Sequence, residues 1–272
     1  MKYLFFVLIY IEFICLKDLP PTDNWDDEFL ARFHLLVTDD DDNNIKFYSM
    51  LNDCISNPKS YETIDNLCQA IQHYKKNTGK EVAASSTLID YIKTTKNEYF
   101  EKYLKSYIDV KNEIRDIIKK KINDEKENGA KKVIIKNALN SFRSAWCLTL
   151  GSYTLNIEYE KEIDFSNKNT HLFKFNVHFK GKDYWDFDEK ECEYGNVLEY
   201  IGCFLHNLLE EKIPNSIVGK GKKFWISYDF YDEITVDTNA LSIYNHKENP
   251  KTTNFQFHNK INILLLLLFY IF

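Results

Sequence analysis

Phe173-Lys174-Phe175-Asn176-Val177-His178-Phe179-Lys180 decides the fold class. Apolar side chains take every second position and polar ones the positions between, which is the period of a strand with one buried and one wet face. Downstream, Gly181-Lys182 reads as a turn into a hairpin partner over residues 183–188. Upstream, Tyr153, Leu155, Ile157 and Tyr159 alternate with Thr154, Asn156, Glu158 and Glu160, a second strand of the same kind. Beyond the pair, Gly195-Asn196 precedes an amphipathic helix whose apolar side is Val197, Ile201, Phe204, Leu205 and Leu208, and Pro214 with Gly219-Lys220-Gly221 ends that unit. Phe224, Ile226, Tyr228 and Phe230 make a last strand, extended by Ile234 and Val236.

Before Gly151 the period is helical. Trp25, Phe29, Phe33 and Leu36 recur on one helix face, a second helix covers 45–55 and breaks at Asn57-Pro58, and Ser60 caps a third with Tyr61, Ile64, Cys68, Ile71 and Tyr74 inward. A further helix is expected over 80–95. Phe100, Tyr103, Tyr107, Val110, Ile114 and Ile117 then form a packing seam that fails at Lys121 and closes at Asn128-Gly129. A last helix over 131–150 buries Ile134, Ala138, Phe142, Ala145 and Trp146 and stops at Gly151. The class is therefore α+β: an N-terminal helical bundle over 25–150, then a small antiparallel sheet, β-β-β-α-β, over 151–238 with one packed helix.

Both ends of the chain are apolar. Met1-Lys2 lead into Tyr3-Leu4-Phe5-Phe6-Val7-Leu8-Ile9-Tyr10-Ile11, the pattern of a secretory signal over 1–17, interrupted by Glu12. A linker over 18–24 with Pro20-Pro21 follows. After a polar spacer over 239–260, the tail 261–272 holds the leucine run Leu264 to Leu268 without a charge. Twelve helical residues reach about 18 Å against roughly 30 Å of hydrocarbon core, so the tail reads as a cleaved glycolipid-anchor signal. The nearest small attachment residues are Asn245, Asn249 and Asn254. An uncleaved tail would instead make this an endomembrane protein.

A formal charge of −6 and a pI near 5.7 oppose nucleic-acid binding, which needs a basic field. With Cys15 in the signal, Cys54, Cys68, Cys147, Cys192 and Cys203 remain, an odd set for an oxidising compartment, and Cys192 with Cys203 is the expected disulfide. No Asn-x-Ser/Thr acceptor occurs.

The chemistry-bearing motifs are sparse. No Gly-x-Ser-x-Gly elbow, phosphate-cradling glycine loop or His-Glu-x-x-His is present, and no cofactor or metal is expected. His206 and Glu210 share a helix face without a third ligand, and read as an ion pair. Cys147 sits among apolar residues and reads as a core thiol or disulfide rather than a nucleophile. Asp183, Asp186, Asp188, Glu189, Glu191 and Glu193 surround Trp185 and Phe187, an acidic hairpin edge or recognition segment rather than paired catalytic carboxylates. Within it Tyr184, Trp185 and Phe187 are the candidate partner anchors.

The short secretory start, the Asn-, Lys- and Tyr-rich body without glycan acceptors, the leucine-rich tail, and Tyr184-Trp185 followed by Glu193-Tyr194-Gly195 resemble small glycolipid-anchored, seroreactive surface antigens of Babesia-like piroplasms, which are apicomplexan parasites. The resemblance implies an exposed, antibody-accessible protein tethered to the membrane by a C-terminal lipid, and it carries over no functional residues. The expected function is non-enzymatic contact with a host or other cell-surface protein. The alternative is a secreted or lumenal enzyme whose pocket would gather His206, Glu210 and a further ligand.

Overall fold

A computed structural model describes residues 26–30, 41–76, 78–94, 105–137, 142–166, 170–186, 201 and 221–240. Two long strands organise it. β7 (Leu172–Trp185) and β8 (Phe224–Asp237) pair antiparallel along their whole length, from Leu172 opposite Asp237 to Trp185 opposite Phe224. The alternation that marks these strands is the one that buries Phe173, Phe175, Val177 and Phe179 against Phe224, Ile226, Phe230, Ile234 and Val236.

The turn expected at Gly181-Lys182 does not form, and β7 runs straight through it. Gly181 stands directly opposite Tyr228, and a Cβ there would lie 2.6 Å from the tyrosine Oη and 2.7 Å from the Thr154 carbonyl oxygen. The glycine serves close approach within a strand, not reversal of the chain.

Around this pair the sheet runs β1-β2-β8-β7-β5-β4, six strands in all. β5 (Gly151–Glu158) and β4 (Phe142–Cys147) continue it antiparallel on the β7 side. β1 (Thr63–Ile64) and β2 (Val82–Ala84) extend it in parallel on the β8 side, so the sheet is mixed. A second sheet pairs β3 (Lys132–Lys136) with β6 (Glu160–Asp164).

The protein is α+β with a sheet-dominated core. The expected helical bundle over 25–150 is corrected, because β1, β2, β3 and β4 all lie within that range. The helix expected over 131–150 is two strands instead: Val133-Ile134-Ile135 is a β-branched run that favours the extended chain, and Ala145 and Cys147 face the core as alternate strand residues. Gly151, at φ +67°, begins β5 after the Leu148-Thr149-Leu150 turn.

The described helices beyond the helical segment 26–30 are α1 (Asp41–Ile55), α2 (Leu67–Lys75), α3 (Ser86–Thr94) and α4 (Tyr107–Glu127). α2 starts later than Ser60 because β1 occupies Thr63–Ile64; Asn66 caps it, accepting from the Gln69 amide. α3 starts later than residue 80 because β2 takes Val82–Ala84. α4 opens on a capping box between Ser106 and Asp109, and passes Lys121 to bury Ile118 and Ile122 beyond Val110 and Ile114.

The helices lie on one side of the sheet. From α4, Tyr107 meets the rings of Phe179 and Phe230, and its hydroxyl donates to Asp232 at 2.8 Å beside the Lys111 ammonium at 2.6 Å. From α2, His73 meets Phe224 and Tyr74 meets Trp185. A disulfide between Cys54 and Cys68 ties α1 to α2. The expected partners Cys192 and Cys203 lie outside the described residues, as does the helix after Gly195 apart from Ile201, which is helical and buried. Among the described residues no helix is long and apolar enough to cross a membrane.

Candidate functional site

Because strand side chains alternate, the sheet face opposite the helices is built from the polar phase of each strand. On β7 and β8 the outward pairs, in order, are Tyr184 with Trp225, Lys182 with Ser227, Lys180 with Asp229, and His178 with Tyr231. Two of these rows carry aromatic rings into solvent. Trp225 is 45% and Tyr184 42% exposed, their centroids 4.7 Å apart, and Tyr231 is 58% exposed with its ring stacked on His178 at 4.3 Å.

The charges between and beside the rings are matched. Lys182 reaches Glu81 at 2.7 Å, Lys180 reaches Glu158 at 2.6 Å, and His178 Nε2 lies 2.7 Å from Asp229 with its Nδ1 3.4 Å from Glu158. The hydrogen bond from Lys180 holds the Glu158 carboxyl below its usual range, and the same contact raises the Lys180 ammonium. Ser227 donates its hydroxyl to the Val82 carbonyl at 3.3 Å, leaving the oxygen lone pairs as an acceptor. The arrangement is a polar strand face with two aromatic pairs. It offers stacking and hydrogen bonding.

The expected anchors divide. Tyr184 belongs to this face. Trp185, its neighbour in a strand, points to the other side: it is 5% exposed, packs on Tyr74 and Phe224, and donates its indole N–H to the Thr149 carbonyl at 2.9 Å. It is a core residue, which corrects its assignment as a partner anchor. Phe187, Cys192, Cys203, His206, Glu210, Asn245, Asn249 and Asn254 lie outside the described residues, as do Asp188, Glu189, Glu191 and Glu193. Asp186 pairs with Lys223 at 3.3 Å. Trp225 and Tyr231 were not singled out from the sequence. Their signal is there: each is a large ring in the wet phase of a strand whose inner phase is Phe224, Ile226, Tyr228 and Phe230.

A second polar cluster is internal. Asp26 is buried, accepting the Leu67 amide at the start of α2 at 2.8 Å and the Thr149 hydroxyl at 2.6 Å. Burial pushes its carboxyl up to about 6 against the pull of those two hydrogen bonds. Cys147 is a buried free thiol, and burial pushes it far above its ordinary value, so the thiolate that a nucleophile requires is not formed at neutral pH. His73 is buried too: Nδ1 accepts the Tyr61 amide and Nε2 donates to the Lys80 carbonyl, both at 3.0 Å. These groups tie distant segments together. Among the described residues no group of histidine, cysteine and carboxylate is arranged to hold a metal.

No protein-family model matches the chain, and no curated protein does. Among solved structures, the chain is similar to PaeM, a colicin M-like bacteriocin produced by Pseudomonas aeruginosa, at 11% identity and a TM-score of 0.39, covering 80% of this chain and 71% of that one. A likeness this loose carries no inference about fold or chemistry.

Proposed function

We propose that the chain is a secreted, lipid-tethered contact protein that works without catalysis, by engaging a molecule on a host or other cell surface through the open face of its six-stranded sheet. The observation that carries this reading is the outward pair Tyr184 and Trp225, two half-exposed aromatic rings in contact, tilted 44° to each other, on the β7–β8 ladder. Exposed rings of this type supply most of the energy where surfaces bind. The Cys54–Cys68 disulfide suits an oxidising compartment and so supports passage through the secretory route. The apolar ends support delivery and tethering, with Asn245, Asn249 or Asn254 as the point of lipid attachment. From the sequence we also propose that the segment from Val197 to Leu208 is a helix between β7 and β8.

Two experiments test it. Phosphatidylinositol-specific phospholipase applied to intact cells releases the protein if the tether is a glycolipid; retention against both the enzyme and alkaline extraction means an inserted tail. Trp225→Ala with Tyr184→Ala abolishes attachment of the full chain to target cells. Attachment at the unaltered level would remove the open face from the account.

A further inference from the structure

We propose that the open face binds an uncharged oligosaccharide, with sugar rings stacked on the Trp225–Tyr184 pair and again on Tyr231. This rests on reading that face as the contact surface, and it names what the surface contacts.

The spacing of the rings argues for an elongated ligand. Trp225 and Tyr231 lie on the same side of β8, six residues apart, which at about 3.3 Å per residue is roughly 20 Å. A single small molecule stacked on one ring does not reach the other. A chain of sugar rings does.

The chemistry between the rings argues for hydroxyl groups. Ser227, Lys182, Lys180 and Asp229 occupy the two rows that separate the platforms. A sugar hydroxyl both donates and accepts, so it inserts beside an existing ion pair without breaking it. A pyranose also presents C–H bonds on its flat face, which pack on an aromatic ring, and hydroxyls at its edge. That division matches rings bordered by polar side chains.

Charge argues for neutrality. Lys182 is matched by Glu81 and Lys180 by Glu158, and His178 shares a hydrogen bond with Asp229. Among the described residues the lysines between the platforms are each paired with a carboxylate, which disfavours sulfate, sialate or nucleic-acid phosphate, and an anion placed there would meet Glu81 and Asp229. A protein partner fits less well. Each aromatic site is one pair of rings packed on each other, Tyr231 on His178 and Tyr184 on Trp225, and rimmed by charged residues, whereas a stable protein interface buries about 800 Å² a side around an apolar centre.

The test is titration of the full chain with uncharged oligosaccharides of increasing length, beside sialylated and sulfated ones, with attachment to target cells measured in parallel. Neutral chains bind. Trp225→Ala weakens them about tenfold or more, Trp225→Phe retains most of the affinity, and Tyr231→Ala weakens long chains but not disaccharides. An unchanged unfolding curve for each variant separates lost contact from lost fold. Binding of anionic glycans alone, or of neutral ones with undiminished affinity in Trp225→Ala, overturns the proposal. Cell attachment that needs Trp225 while no neutral glycan binds overturns the carbohydrate assignment and leaves the face as the contact surface. Attachment indifferent to Trp225 overturns both.

Discussion

Gly181 and Tyr228 face each other across the β7–β8 ladder, and the tyrosine ring fills the space where a glycine side chain would begin. Its hydroxyl crosses β7 to donate to the Thr154 carbonyl of β5 at 2.6 Å, beyond the stretch where β5 and β7 share ladder bonds. Gly181→Ala therefore forces either the ring or β5 to move. The expected cost is about 1–3 kcal/mol, the range of overpacked cores. Tyr228→Phe, which loses only the hydrogen bond, costs about 1 kcal/mol. Urea unfolding measures both, and an alanine variant as stable as the native chain would refute the packing account.

Asp26 makes stability depend on pH. Its carboxyl rises from 3.8 to about 6 on folding, so the folded chain binds the proton more tightly than the unfolded one. That contribution is fully present below about pH 4 and is lost as pH rises through about 6. The rise corresponds to about 3 kcal/mol. Asp26→Asn keeps an acceptor for Leu67 and places an amide against Thr149. Its stability relative to the native chain should climb by about that amount between pH 4 and pH 7. A flat difference across this range would show that Asp26 is not desolvated.

His73 acts in the opposite direction. Burial lowers its imidazole below 6.5, and protonation would take the Nδ1 lone pair from the Tyr61 amide. Its contribution is present above pH 6.5 and is lost as pH falls through the lower folded value. An NMR titration of the ring should give a midpoint below 6.5. A midpoint at or above that value would contradict the buried neutral tautomer.

Lys111 and Tyr107 converge on one oxygen of Asp232. Burial favours the protonated acid, but the two donors outweigh it and hold the carboxyl below its ordinary range. Asp232→Ala strands both donors at the α4–sheet contact and should cost about 1–2 kcal/mol, allowing for partial exposure. Lys111→Ala alone should cost less. Equal stability of all three proteins would mean that this triad does not hold α4.

The long strands were legible because their alternation is unbroken from Phe173 to Phe179 and from Phe224 to Phe230. The same counting, carried past Gly181, puts Trp185 inside and Tyr184 outside; reading Gly181-Lys182 as a turn hid this. Glycine marks both turns and close approaches, and only the partner strand tells them apart. The strands β3 and β4 were missed because Ile134, Phe142, Ala145 and Trp146 happen to fall at helical spacing, while their pairing partners lie in β6 and β5. Such pairings are set by tertiary contact and leave no local trace. The Cys54–Cys68 bond was likewise invisible, since spacing alone does not choose among five cysteines.

In the proposed function, binding resides in the outward rings and folding in the inward one. The most direct measurement compares Trp225→Ala and Trp185→Ala for urea stability and attachment to target cells. Trp225→Ala should stay within about 0.5 kcal/mol of the native chain and lose attachment, while Trp185→Ala should lose about 3–5 kcal/mol. Full attachment by a well-folded Trp225→Ala protein would contradict the account.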